Sequence, residues 1–148
     1  EVETVYMREH RARSFQRTDV EGTMSGLLTM ERGIHVSVVQ TCETRLPHKL
    51  GRYVFYGDEG CVRASQERCE VFSSAHKRSQ EPMLLGYPEG ELSDYAQEME
   101  AFADYVAGVS VGSTTARSER RSLAIVQAGY ESAETGRPIH LKERFGEL

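Results

Sequence analysis

No apolar run in this chain approaches the roughly 20 residues needed to cross a bilayer. No signal-peptide pattern is visible either, since Glu1-Val2-Glu3-Thr4-Val5-Tyr6 is an acidic, alternating start. A cytoplasmic location with no membrane partner is the expectation. Cysteine is scarce: Cys42, Cys61 and Cys69 are odd in number and lack metal-ligand spacing, which excludes a disulfide framework and points to free thiols in a reducing compartment. Positive charge is short as well. The net charge of −5 and pI of about 5.6 argue against a nucleic-acid partner. Basic residues do gather between Arg8 and Arg17 and between Arg117 and Arg121, but acidic residues interleave with both, as on solvated faces. Asparagine and tryptophan are missing, and fifteen arginines stand against three lysines, a bias that carries no mechanism.

What is present suffices for one domain. The 148 residues are 39% hydrophobic and 28% charged, an ordinary balance for a chain that buries a core. The first two thirds read as strands at Glu1–Ala12, Val20–Met30, Gly33–Thr44, Arg52–Tyr56, Cys61–Ala64 and Cys69–Ser74. Met30-Glu31-Arg32-Gly33 and Gly57-Asp58-Glu59-Gly60 supply hairpin turns, with Gly33 free to take positive φ. His76–Glu91, with Pro82 and Pro88, lacks a period and reads as a surface loop.

The last third changes period. Tyr95, Met99, Phe102 and Val106 share one helical face, with Asp94 and Gln97 as a candidate capping pair and Gly108 as the stop. Leu123, Val126, Tyr130 and Ala133 form the stripe of a second helix closed by Gly136 and Pro138, and Ile139-His140-Leu141 suits a short last strand. Strands followed by segregated helices predict an α+β fold, an open-faced and mainly antiparallel sheet with helices packed on one face, as a single domain over residues 1–148. Val38 and Val39 must point opposite ways. Together with Leu27, Met30 and Val36 they put apolar groups on both faces, which favours an interface on the second.

Catalytic chemistry is mostly missing from the residues. There is no Gly-x-Gly-x-x-Gly turn and no Gly-x-Ser-x-Gly elbow. Gly108 to Thr114 lacks the lysine of a phosphate loop and falls between two helices. His10, His35, His48, His76 and His140 have no ligand partner at zinc spacing, so no metal is expected. His35 suits an ordinary strand position. His48 sits in a loop beside Arg45 and Pro47, where functional groups collect; Cys42 is near, but a free structural cysteine is the commoner outcome. Glu98 and Glu100 face solvent with no partner base. Residue chemistry alone ends at a soluble α+β domain.

Several segments, in order, resemble the carboxy-terminal domain of the Gfo/Idh/MocA oxidoreductases. Val2-Glu3-Thr4-Val5-Tyr6 resembles the strand after that family's catalytic helix. Leu27 to Gly33 resembles its L-x-F-x-N-G hairpin, with Arg32 in place of Asn, and Phe55 to Val62 resembles I-Y-G-T-E-G-x-L. Tyr95 to Phe102 resembles Y-x-x-E-x-x-x-F, and Leu123 to Pro138 resembles A-L-x-V-x-x-A-x-x-S-A-x-x-G-R-P. The resemblance implies a parent enzyme with an amino-terminal Rossmann domain that binds NAD or NADP, and a sheet that lines the substrate pocket and joins subunits into a homo-oligomer.

The family's Glu-Lys-Pro and Asp-x-x-x-His match no position here, so no residue is expected to be catalytic and no cofactor to bind this chain alone. Starting inside a strand, the chain reads as part of a longer protein. Positions matching the family's substrate-lining residues are Thr44, Arg45 and His48 in the loop after the third strand, and Tyr95 at the start of the helix. A guanidinium grips a carboxylate or phosphate, and His or Tyr bonds a hydroxyl. The implied substrate is a sugar, polyol or related hydroxy/keto compound. The rival readings are a stand-alone dimerisation module and a small-ligand binding module without chemistry.

Overall fold

The computed structural model describes residues 1–11, 21–43, 53–65, 68–74, 82–86, 94–112 and 114–148. The class is α+β, with antiparallel pairing throughout. The chain divides into two compact units, Glu1–Thr44 with Phe102–Leu148, and Arg45–Ala101.

In the first unit β1 (Val2–His10), β2 (Thr23–Met30) and β3 (Ile34–Thr41) join the two-residue β8 (Ile139–His140) in the order β3-β2-β1-β8. Register fixes the faces. Val5, Leu28 and Val36 form one cross-strand row, and Met7, Gly26 and Val38 the next, both on the side covered by helix α2 (Ala116–Thr135). Val5 is fully buried, worth about 1.5–3 kcal/mol of transfer free energy for a side chain of this kind. The short helix α3 (Leu141–Phe145) closes the core with Leu141.

Helix α2 does not bury the apolar stripe that its sequence suggests. Ala124, Ala128, Gly129 and Ser132 face the sheet, while Leu123, Val126 and Tyr130 are about half exposed. The reason is steric. Small residues let the helix axis approach β1, and even a Cβ on Gly129 would make only ordinary van der Waals contact with Met7 Cγ, at 3.5 Å. The buried Ser132 completes the contact. Its hydroxyl accepts the Met7 N–H at 2.9 Å and donates to the Arg137 carbonyl at 2.7 Å. Since β8 pairs only with Thr4 and Val5, this oxygen takes over at the edge of β1 where the ladder stops. A Thr115–Ser118 capping box opens α2, and Gly136, at φ 70°, ends it as the pattern predicts.

The hairpin between β2 and β3 runs through a single 3-10 turn, Glu31–Gly33, in which Arg32 (φ 64°) and Gly33 (φ 73°) both adopt left-handed backbone. Glycine was the expected carrier of positive φ. Arginine beside it bears a Cβ penalty that asparagine tolerates better.

In the second unit β4 (Tyr53–Gly57), β5 (Gly60–Ala64), β6 (Cys69–Ser73) and β7 (Met83–Leu85) form a sheet in that order. Strand β7 corrects the loop reading of residues 76–91. Three residues are too few to show a period, and Pro82 precedes them at an edge, where its missing N–H is tolerated. Helix α1 spans Asp94–Val106, as its periodicity predicts, and Gly108 follows at φ 71°. The candidate capping pair rests on the Asp94 side chain, which lies outside the described residues.

Two stability predictions follow. Ser132→Ala strands a buried N–H and lowers unfolding free energy by about 1–3 kcal/mol; urea denaturation within 0.3 kcal/mol of wild type contradicts the bridging role. Arg32→Asn relieves the left-handed strain and raises stability by roughly 0.5–1 kcal/mol in the same assay, whereas a loss of stability contradicts it.

Candidate functional site

The uncovered face of the first sheet is set by the same register. Four rows cross it: His10, Thr23 and Thr41; Arg8, Ser25 and Val39; Tyr6, Leu27 and Ser37; Thr4, Thr29 and His35. Among the described residues apolar groups do reach this face, as Val38 and Val39 require, through Leu27, Val39 and the ring of Tyr6. Hydroxyls dominate it, so it is wettable and hydrogen-bonding.

One end of this face is a linked polar rim. The Thr23 and Thr41 hydroxyls lie 2.7 Å apart, the Thr23 hydroxyl donates to the Glu43 carboxylate at 2.6 Å, and the Glu43 N–H donates to Thr41 Oγ1 at 3.2 Å. The Glu43 carboxyl lies over Gly22, where any Cβ would collide with it. Cys42 N–H bonds the Gly22 carbonyl at 2.9 Å, and the Cys42 thiol is 3.4 Å from the same oxygen. The entry of β2 and the exit of β3 are thus stapled together. Sequence reading missed this rim, although Thr41-Cys42-Glu43 directly precedes the loop it singled out.

Beside the rim, Tyr130 of α2 donates to Glu21 Oε1 at 2.8 Å. The Glu21 carboxyl is held below the usual carboxylate range, first by its own backbone N–H, then by the Tyr130 hydroxyl and the Arg11 charge. Tyr130 is pushed above the ordinary phenol value by its bond to Glu21, by burial and by the charges of Glu21 and Glu9. The depressed Glu21 value adds stability above the ordinary carboxylate range, lost as pH falls through the folded value. The raised Tyr130 value adds stability below the ordinary phenol range, lost as pH rises through the folded value.

Of the four sequence-derived site residues, Thr44, Arg45 and His48 lie outside the described residues. Tyr95 occupies the first turn of α1 with 82% of its surface exposed. The described structure therefore brings none of the four together. Among the described residues no group of three or more His, Cys, Asp or Glu could hold a metal ion, and Cys42, Cys61 and Cys69 are free. No described helix is long and apolar enough to cross a membrane.

No protein-family model and no curated protein matches the sequence. Solved structures do. An oxidoreductase from Agrobacterium radiobacter, in complex with NAD+, L-tartaric acid and magnesium, superposes with a TM-score of 0.77 at 19% identity over 97% of this chain and 44% of its own. Aldose-aldose oxidoreductase from Caulobacter crescentus, complexed with glycerol, gives 0.74 at 15% identity over 95% of this chain and 41% of its own. A levoglucosan dehydrogenase in complex with NADH and levoglucosan gives 0.76 at 14% identity over 95% and 45%. The chain has the fold of a carboxy-terminal domain of Gfo/Idh/MocA-type oxidoreductases. It spans less than half the length of each of these three proteins.

Within that fold the segment resembling A-L-x-V-x-x-A-x-x-S-A-x-x-G-R-P acquires a physical meaning: its serine is the bridge at Ser132 and its glycine the left-handed stop at Gly136. Tyr130→Phe removes the hydroxyl from Glu21 and moves the Glu21 midpoint upward, while the bond from its own backbone N–H, the larger cause, stays. Carboxyl chemical shifts followed by NMR check this, and an unmoved midpoint contradicts the coupling.

Proposed function

We propose that this chain is the substrate-side, carboxy-terminal domain of an NAD(P)-dependent oxidoreductase acting on a sugar, polyol or related hydroxy/keto compound. The observation that carries the reading is the fold itself, matched over 97% of this chain by a protein holding NAD+ and a hydroxy acid. Matches to structures holding glycerol and levoglucosan support the substrate class. The amino-terminal Rossmann domain of the parent protein supplies cofactor and acid–base groups, and residues 1–148 act as one domain.

The residues of this chain do not fit a dinucleotide. Gly108–Gly112 lies between two helices, and a Cβ on Gly112 would stand 2.7 Å from the Tyr105 ring that lies against it. A pyrophosphate needs open backbone N–H groups between a strand and a helix. No redox step is assigned to this chain.

In this reading the loop after β3 lines the substrate pocket. Arg45 binds an anionic or strongly polar substrate group through its planar fork, Thr44 and His48 bond hydroxyls, and Tyr95 adds a further hydroxyl contact. The Thr23–Thr41–Glu43 rim anchors the end of β3 from which that loop departs. The domain also joins copies of the protein through its sheets, as a homo-oligomer.

Two outcomes are expected. In the parent oxidoreductase, turning over its sugar or polyol substrate, Arg45→Ala raises KM about tenfold to hundredfold with kcat little changed, the scale of one lost charge-assisted hydrogen bond. Unchanged KM in both Arg45→Ala and His48→Ala contradicts the pocket assignment. NADH titrated against this chain alone gives no fluorescence change at micromolar concentrations, and a micromolar Kd contradicts the division of labour.

A further inference from the structure

Residues 145–148 of the first unit are held by side chains rather than by a strand ladder. After α3 the chain turns at Gly146 (φ 73°, ψ −157°), whose N–H bonds the Lys142 carbonyl at 3.0 Å. Two consecutive arginines of α2 then receive it. Arg120 donates through Nη1 to the Glu147 carbonyl at 2.7 Å and through Nη2 to the Phe145 carbonyl at 3.0 Å. Arg121 donates through Nε and Nη2 to the Leu148 backbone oxygen at 3.1 and 3.0 Å. The guanidinium groups thus satisfy oxygens that the end of a five-residue helix leaves without partners. Phe145 and Leu148 pack, partly buried, against the core. Arg121 has a second engagement: its Nη1 lies 2.8 Å from Glu1 Oε1, and the Glu1 carbonyl accepts the Glu31 N–H at 2.8 Å. One guanidinium therefore joins the residue that leads into β1 to the far end of the sequence.

We infer that Phe145–Leu148 is a strap that opens and closes as a unit while the sheet stays folded, and that Arg121 couples its closure to the seating of Glu1. Among the described residues the strap pairs with no strand, and its apolar anchors are only half-buried. Segments with few buried contacts and exposed hydrogen bonds open at a small fraction of the global unfolding free energy. The Met7–Ser132 bond, fully buried at the other side of β1, is untouched by that opening. Coupling follows from shared entropy. Fixing a long arginine side chain in one rotamer is costly, and Glu1 and Leu148 share that cost, so losing either partner weakens the hold on the other. Opening also changes the surface. Glu147 and Leu148 wall both a cleft of about 590 Å³ beside Glu1 and Glu31 and one of about 810 Å³ beside Thr115 and Arg117, so a lifted strap joins the two.

The test is hydrogen exchange of the full chain followed by NMR. The Gly146 N–H reports the strap, and the Met7 N–H, bonded to buried Ser132, reports the fold. Arg120→Ala should speed Gly146 exchange about tenfold, the scale of two lost hydrogen bonds, and leave Met7 unchanged. Glu1→Gln should speed it roughly two- to fivefold, the scale of one exposed ion pair. In about 1 M NaCl, where the screening length falls to about 3 Å, the Glu1→Gln effect should vanish. The Arg120→Ala effect should remain there, because the acceptors of Arg120 are neutral carbonyls. Gly146 exchange unmoved by Arg120→Ala overturns the strap. Acceleration of Gly146 and Met7 by one common factor overturns it too, since the opening is then global. Gly146 exchange unmoved by Glu1→Gln at low salt overturns the coupling and leaves the strap standing.

Discussion

One buried hydroxyl holds the sheet and the long helix of the first unit together. Strand β1 is nine residues long, but its partner β8 offers only two, so the Met7 N–H has no strand to pair with. Ser132 supplies the missing oxygen from the helix and returns its own proton to the Arg137 carbonyl. An oxygen at 0% exposure can do this only if the helix lies almost against the strand. Small side chains, Ala124 and Ala128, stand around it. The rest of the core, from Val5 and Leu28 to Leu141, fills the space that this spacing leaves.

The same constraint explains why the other faces are free for other uses. Because small residues of α2 take the sheet, its larger side chains Leu123, Val126 and Tyr130 turn away, and Tyr130 reaches Glu21 beside the polar rim. Because one face of the first sheet is sealed by α2, the other can be rich in hydroxyls without weakening the core. A polar rim at the end of the sheet fixes the entry of β2 against the exit of β3.

Much of this was legible in the residues. Among the described residues, period two and then period 3.6 placed seven of the eight strands and both long helices, and Gly136 and Gly108 marked the helix ends as expected. Strand β7 escaped because Met83–Leu85 is too short to alternate, and α3 because five residues after a strand show no period. The buried stripe of α2 was misread for a physical reason: hydrophobicity marks Leu123 and Val126, but close approach to a sheet selects for smallness, which no hydropathy pattern records. Arg32 kept its left-handed turn against its own preference because the hairpin on either side fixes it. Of the candidate site only Tyr95 falls among the described residues. The rim at Thr23, Thr41 and Glu43 could not have been foreseen, because its members are distant in sequence and meet only through register.

The most direct measurement is of the gene itself: the reading frame upstream of the codon for Glu1. The account predicts that it continues into a glycine-rich strand–helix turn, followed by Glu-Lys-Pro and Asp-x-x-x-His segments of the kind the resemblance implies. A start codon immediately before Glu1, with no such segments encoded, would contradict it and leave a sheet module that assembles copies or holds a ligand without chemistry.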